Sequence, residues 1–206
     1  STFGNWDDVQ AISQEYDVLL DLMVNHISKQ SEFFQDFLKN GFDSKYADLF
    51  ISLDKYWNQG IPNQEDIDKM FLRRNVPYST FEVGAQKEAV KVWTTFGKQD
   101  PSEQIDLDIR TAITKQLLTD FMVNFSKNNI KIVRLDAVGY VIKKLGTSCF
   151  FVEPDIYNFL DWISELAQYL DIELLPEVHS HYSIQFKLAE KGHWIYDFIL
   201  PFYVLE

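Results

Sequence analysis

Cysteine is nearly absent from this 206-residue chain. Cys149 stands alone, so no disulfide framework can hold the fold, and a reducing, cytoplasmic setting is expected. Positive charge is also scarce: 19 Lys and Arg against 31 Asp and Glu leave a net charge of −12. Nucleic acid, whose phosphates need a basic face, is therefore not an expected partner. No apolar run reaches the roughly 18 residues that a membrane span requires, so none is expected. There is no internal repeat and no low-complexity tract. The opening STFGNWDDV lacks a methionine and reads like the inside of a loop, and the closing LPFYVLE has no capping or charged tail. Both ends suggest a fragment, so the missing signal peptide carries little meaning.

What the chain does have is apolar bulk, 46% hydrophobic with 16% aromatic, enough for one sizeable core and one or two domains. Aromatic faces suit the apolar faces of sugar rings, although most will fill the core. NWDDVQAISQEY opens with an Asn cap and acidic first-turn residues and predicts a short helix. VLLDLMVNH is a nearly continuous apolar run, as expected of a strand buried on both faces. Helices are predicted over SEFFQDFLKN (closed by Gly41), DSKYADLFISL and NQEDIDKMF, then an extended stretch at AVKVWTTF. From residue 109 onward the pattern alternates: helix DIRTAITKQLLTDFMVNFSKN, strand IKIVRLDA, helix EPDIYNFLDWISELAQYL, strand IELLPEVH, helix SIQFKLAEKG, strand WIYDFIL. That is a βα repeat around a parallel sheet.

The distance from His26 to Ile130 is far too long for one βα connection, so residues 28–104 are expected to form an inserted subdomain. The remainder, 1–27 and 105–206, supplies only four strong parallel-strand candidates. An eight-stranded α/β barrel needs twice as many. The expectation is a partial (β/α)₈ barrel, about strands 3 to 6, with unpaired sheet edges.

Three strand ends carry polar residues: Asp21 through Asn25 and His26, Arg134 with Asp136, and Glu177 with His179. Such ends bear the active site in βα folds, so these are expected to converge on one pocket. Arg134 and Asp136 share a strand face because side chains alternate with period two. Asp136 and Glu177 on neighbouring strands are the paired carboxylates a retaining glycosidase needs, one as nucleophile and one as acid. Arg134 would hold Asp136 ionised; Glu177, beside that negative charge in a drier site, suits general acid work. The plainer alternative is an ion pair bracing a barrel, with Glu177 a solvated strand end. Glu177, His179 and His181 also alternate, as a metal face would, but Pro176 and the helix that follows point His181 elsewhere, and no metal is expected. Asn25 and His26 can donate to sugar hydroxyls. Asp21 reads as a buried hydrogen-bonding group, Cys149 as an inert packed thiol, and Lys143-Lys144 as a solvated helix face.

Taken together, DLMVNH (21–26), RLDAVGY (134–140) and PEVH (176–179) resemble, in order, three of the four sequence regions of the α-amylase superfamily, glycoside hydrolase family 13. GTSCF, EQIDLD (103–108), HYSIQ and YDFILP are similar, more narrowly, to its sucrose phosphorylase branch. The resemblance implies a (β/α)₈ barrel with a B subdomain inserted after the third strand. It implies Asp136 as nucleophile, Glu177 as general acid/base, Arg134 supporting Asp136, and His26 binding the glucosyl ring. By the same resemblance Tyr140, Tyr196 and Asp197 lie near donor and acceptor, Phe96 and Gln104 in the acceptor loops, and Arg73 or Arg74 where a B-subdomain arginine meets phosphate. The implied partners are a small sugar and inorganic phosphate; no cofactor is implied, and the full-length protein could pair as a homodimer.

The family's fourth region, with its His-Asp, is not in this sequence, nor are the first two barrel strands. The chain alone is therefore expected to be inactive. The implied reaction is sucrose plus phosphate to α-glucose 1-phosphate and fructose. Its rivals are phosphorolysis of sucrose 6′-phosphate or another α-glucoside, hydrolysis or transglucosylation, and a barrel kept as a non-catalytic scaffold.

Overall fold

The computed structural model describes residues 4–196. The chain divides into two units, one made of the chain up to Val24, Leu118–Gly139 and the chain from Tyr157 onward, the other of Asn25–Leu117 and Tyr140–Ile156.

The first unit is α/β with a parallel sheet. Its strands are β1 (Leu19–Met23), β6 (Ile132–Asp136) and β7 (Glu173–Pro176), in the order β1-β6-β7. Register sets Asp21 beside Arg134, Met23 beside Asp136, and Leu135 beside Pro176. One sheet face carries Leu22, Val133, Leu135 and Leu174, all buried. The other is more open: Leu19 and Met23 are 41% and 49% exposed. The expectation that the first strand is buried on both faces is corrected here, because only alternate residues are covered. Helix α4 (Ala112–Lys127) buries Leu118 and Met122, and α5 (Asp155–Tyr169) buries Leu160 and Ile163. Helix α6 (Tyr182–Glu190) is capped by His181, whose side chain accepts from Ser183 N. At the start, α1 (Trp6–Ile12) has a full capping box between Asn5 and Asp8, which satisfies donors that the first turn leaves open. It stops short of the predicted Tyr16. Trp194–Tyr196 carry no strand, and the rest of the strand predicted at WIYDFIL lies outside the described residues.

The second unit holds two antiparallel pairs, β2 (His26–Ser28) with β5 (Gln104–Asp106) and β3 (Tyr78–Val83) with β4 (Glu88–Trp93). Helix α2 (Glu32–Asn40) starts on the Ser31 cap and ends at Gly41, whose φ of 61° suits glycine. Helix α3 covers Gln64–Lys69. The helix predicted over DSKYADLFISL does not form. Leu49 through Leu53 are buried without interruption, which a helix with one covered face cannot achieve. The segment instead runs through short 3₁₀ turns and bridges Phe50 to Leu107 and Ser52 to Val92. Phe34 packs edge-on against Phe50 and Phe81, and Trp57 stacks on Trp93 at 5.7 Å. Ile51, Leu53, Met70 and Cys149 share that second cluster.

Candidate active site

In the first unit the polar strand ends meet at one guanidinium. Arg134 donates from Nε to Asp21 Oδ1 at 2.6 Å and from Nη2 to Asp21 Oδ2 at 2.9 Å. Its Nη2 reaches Asp136 Oδ1 at 3.0 Å and its Nη1 reaches Glu177 Oε1 at 3.2 Å. One cation thus gathers three carboxylates, using the fork geometry that lysine lacks. The guanidinium is held even more firmly charged than usual, chiefly by its bonds to Asp21. From sequence, Arg134 is expected to serve Asp136 alone and Asp21 to be buried; the structure corrects both. Asp21 is 46% exposed and takes two of the guanidinium's three hydrogen bonds. The parallel register explains it: Asp21 and Arg134 are direct neighbours on the open face.

Glu177 lies just past β7, with its N–H donating to Leu135 O at 3.1 Å. Its side chain is the best covered of the three acids at 17% exposure. Oε2 accepts from Ala137 N at 3.1 Å, and Oε1 pairs with His179 Nε2 at 3.2 Å. Ala137 has a φ of 54°, a left-handed conformation that costs a non-glycine residue about 1–2 kcal/mol. That kink directly follows the nucleophile candidate and aims an amide at the acid candidate. His181 caps α6 and His179 contacts Glu177, so the two imidazoles have different tasks.

In the second unit His26, Phe96 and Tyr140 come together. His26 lies 5.4 Å from the Phe96 ring, and Phe96 meets Tyr140 edge-on at 4.9 Å. Phe150 and Phe71 extend the cluster, at 4.8 and 6.3 Å from Tyr140. Neither was singled out from sequence, where an isolated phenylalanine looks like core. Gln104 is half-buried on β5.

The two arginines separate clearly. Arg74 bonds to Ser79 Oγ, Thr94 Oγ1 and Gln99 O, so it braces the fold. Arg73 is exposed and sits over the Phe96 ring at 6.0 Å. Lys143 corrects the sequence reading most sharply. Its side chain is 2% exposed, paired at 2.7 Å with the fully buried Asp106 and donating at 2.7 Å to Asn25 Oδ1. Asp106 also accepts from Thr95 N at 2.8 Å and Thr95 Oγ1 at 2.5 Å. A lysine can be buried when its charge is paired and bonded, and nothing in its local sequence reveals that partner 37 residues upstream. Tyr196 is half-buried at the edge of the described chain, and Asp197 lies outside it.

Residues 1–186 match the family model for the alpha amylase catalytic domain. The chain belongs to the α-amylase family. A sucrose 6(F)-phosphate phosphorylase of Thermoanaerobacterium thermosaccharolyticum is 60% identical over 203 residues, 98% of this chain and 42% of that protein. A sucrose phosphorylase of Streptococcus mutans is 40% identical over all of this chain and 42% of its own length. The crystal structure of sucrose 6F-phosphate phosphorylase from Thermoanaerobacter thermosaccharolyticum superposes with a TM-score of 0.96, covering 98% of this chain and 41% of that one. The chain thus spans about two-fifths of the length of these relatives. The three carboxylates gathered at Arg134 belong to the DLMVNH, RLDAVGY and PEVH stretches, one from each family region read from sequence.

Proposed function

We propose that this chain carries the catalytic carboxylates of an α-glucoside phosphorylase that transfers a glucosyl group to inorganic phosphate with retention. The observation that carries the reading is the grouping of Asp136 and Glu177 at one arginine, in a chain 60% and 40% identical to named phosphorylases. Asp136, ion-paired to Arg134, attacks the anomeric carbon while Glu177 protonates the departing glycosidic oxygen. The carbon–oxygen bond breaks and a β-glucosyl ester of Asp136 remains. An oxygen of hydrogen phosphate then displaces the ester from the opposite face, Glu177 recovers its proton, and α-glucose 1-phosphate leaves. Phosphate is already anionic, so this second step asks little of a base.

In this reading Arg134 orients both acids and His26 donates to the glucosyl ring; Asn25, expected from sequence to donate there too, is fully buried with its amide engaged by Lys143 and Asp106, and backs His26 instead. Tyr140, Tyr196, Asp197 and His179 lie near donor and acceptor, and Phe96 and Gln104 near the acceptor. Arg73 is the phosphate contact, because Arg74 is already committed to Ser79, Thr94 and Gln99. Residues 1–27 and 105–206 form part of a (β/α)₈ barrel and 28–104 its inserted B subdomain. The open face of the β1-β6-β7 sheet, whose outer strands have no further partner among the described residues, supports that reading. Two substrates compete. Sucrose is the first; sucrose 6′-phosphate is favoured by the 60% relative. The deciding experiment gives a chain of the relatives' full length phosphate with each sugar in turn and assays α-glucose 1-phosphate. Phosphate-dependent product identifies the substrate; free glucose, or binding without turnover, would refute the phosphorylase reading.

A further inference from the structure

Asp106, buried in a pair with Lys143, is the cross-strand neighbour of His26, and the geometry of that pair reaches further than bracing. We propose that Lys143 is a positioning residue that, through the Asn25 amide, fixes the imidazole proton of His26 on Nε2. This rests on the reading of His26 as a sugar-binding residue.

The argument runs along hydrogen-bond direction. An ammonium has three donors and no acceptor. Around Lys143 Nζ stand three oxygens: Asn25 Oδ1 at 2.7 Å, Asp106 Oδ2 at 2.7 Å, and the Tyr140 carbonyl. Turning the Asn25 amide over would set its NH₂ against the ammonium, donor against donor, in a site where both charged side chains are 2% exposed or less. The oxygen must therefore face Lys143. The NH₂ group then faces Asp106 Oδ2 at 3.2 Å and His26 Nδ1 at 3.4 Å. Both of its hydrogens have acceptors only if Nδ1 is bare, which leaves the ring proton on Nε2. A donor at Nε2 is what a sugar hydroxyl oxygen accepts from.

The same pair sets the ring against which His26 packs. Asp106 takes both donors of Thr95, the residue before Phe96. Phe96 lies 5.4 Å from the imidazole, and the Tyr140 ring closes on its edge at 4.9 Å. Lys143 holds the Tyr140 carbonyl as well. Imidazole, phenyl and phenol rings are thus tied to one ion pair that the reaction itself does not use.

Removing Lys143 alone strands a buried carboxylate and endangers the fold. The useful variant is Lys143→Met with Asp106→Asn, which removes both charges together and leaves Thr95 an acceptor. In a chain of the relatives' full length with ¹⁵N-labelled histidine, His26 is assigned by its loss in His26→Gln. The wild-type spectrum, which needs no variant, is expected to show the Nε2–H form. In the double variant the Nδ1–H form should grow. The donor kcat/KM should fall at least tenfold while the KM for phosphate stays within about twofold. Lys144→Met, at an exposed pair with Asp155, should change neither reading. A wild-type proton on Nδ1 overturns the proposal, and so does a double variant with unchanged tautomer or unchanged donor kinetics. If the wild type makes no phosphate-dependent product, the proposed function fails, and the two spectra still decide whether Lys143 sets the proton.

Discussion

Replacing Glu177 by glutamine separates the chemistry of this acid from its structural duties. Both carboxylate oxygens are already engaged: Oε1 is ion-paired with Arg134 at 3.2 Å and Oε2 accepts from Ala137 N at 3.1 Å. A glutamine can offer an acceptor to only one of them. If its oxygen stays with Arg134, its NH₂ faces the Ala137 amide; if it turns over, it faces the guanidinium. Either way one of the two contacts, the Ala137 hydrogen bond or the Arg134 ion pair, is lost and the other becomes neutral, a cost of about 1–3 kcal/mol. That cost falls on every donor alike, as roughly a tenfold to hundredfold drop in rate. The acid role is different, because it matters only when the leaving group needs a proton, and there it is worth about 10²–10⁴-fold. In a chain of the relatives' full length, Glu177→Gln should therefore lose far more activity with sucrose or its 6′-phosphate than with α-glucosyl fluoride, whose fluoride leaves unaided. The assay is release of α-glucose 1-phosphate from each donor at saturating phosphate, and the expected gap between donors is at least about a hundredfold. Equal losses on both donors would show that Glu177 only braces Ala137 and Arg134, and the acid assignment would fall.

Asp136→Asn should abolish the covalent intermediate, so intact-protein mass spectrometry after mixing with α-glucosyl fluoride should find no glucosyl adduct. An adduct that persists would assign the nucleophile elsewhere. Burial pushes the Cys149 thiol above its ordinary value, so the thiolate is scarce in the folded state. Alkylation by iodoacetamide near pH 8 should be slow and should rise sharply at the urea concentration that unfolds the protein. The sign follows: with the folded value raised, stability should fall as pH climbs past the unfolded thiol's value, and Cys149→Ala should flatten that fall. Gly97→Ala should destabilise strongly, because φ is 108° and an added Cβ would lie 2.1 Å from Ser102 Oγ. That hydroxyl bonds the Phe96 and Gln104 carbonyls, so the melting temperature and sugar affinity should drop together; an unchanged melting temperature would contradict the geometry.

The sequence by itself determined the parts that are local. The Asn5 capping box, the Ser31 cap and Gly41 stop of α2, and the βα alternation from α4 to α6 follow from residue types at fixed offsets, and they were legible. So was the shared face of Arg134 and Asp136, since period two is a property of any strand. Tertiary structure alone decided who meets whom across the chain. The register that sets Asp21 beside Arg134 joins residues 113 apart, and no local pattern encodes that offset. Leu49–Leu53 read as helix because their apolar spacing fits one, yet the bridges to Leu107 and Val92 bury every residue of the run. Lys143 looked like one of two solvated lysines. Only the fold could bring Asp106 and Asn25 to it, because a buried charge is tolerated for the partners it finds in space and not for its neighbours in sequence.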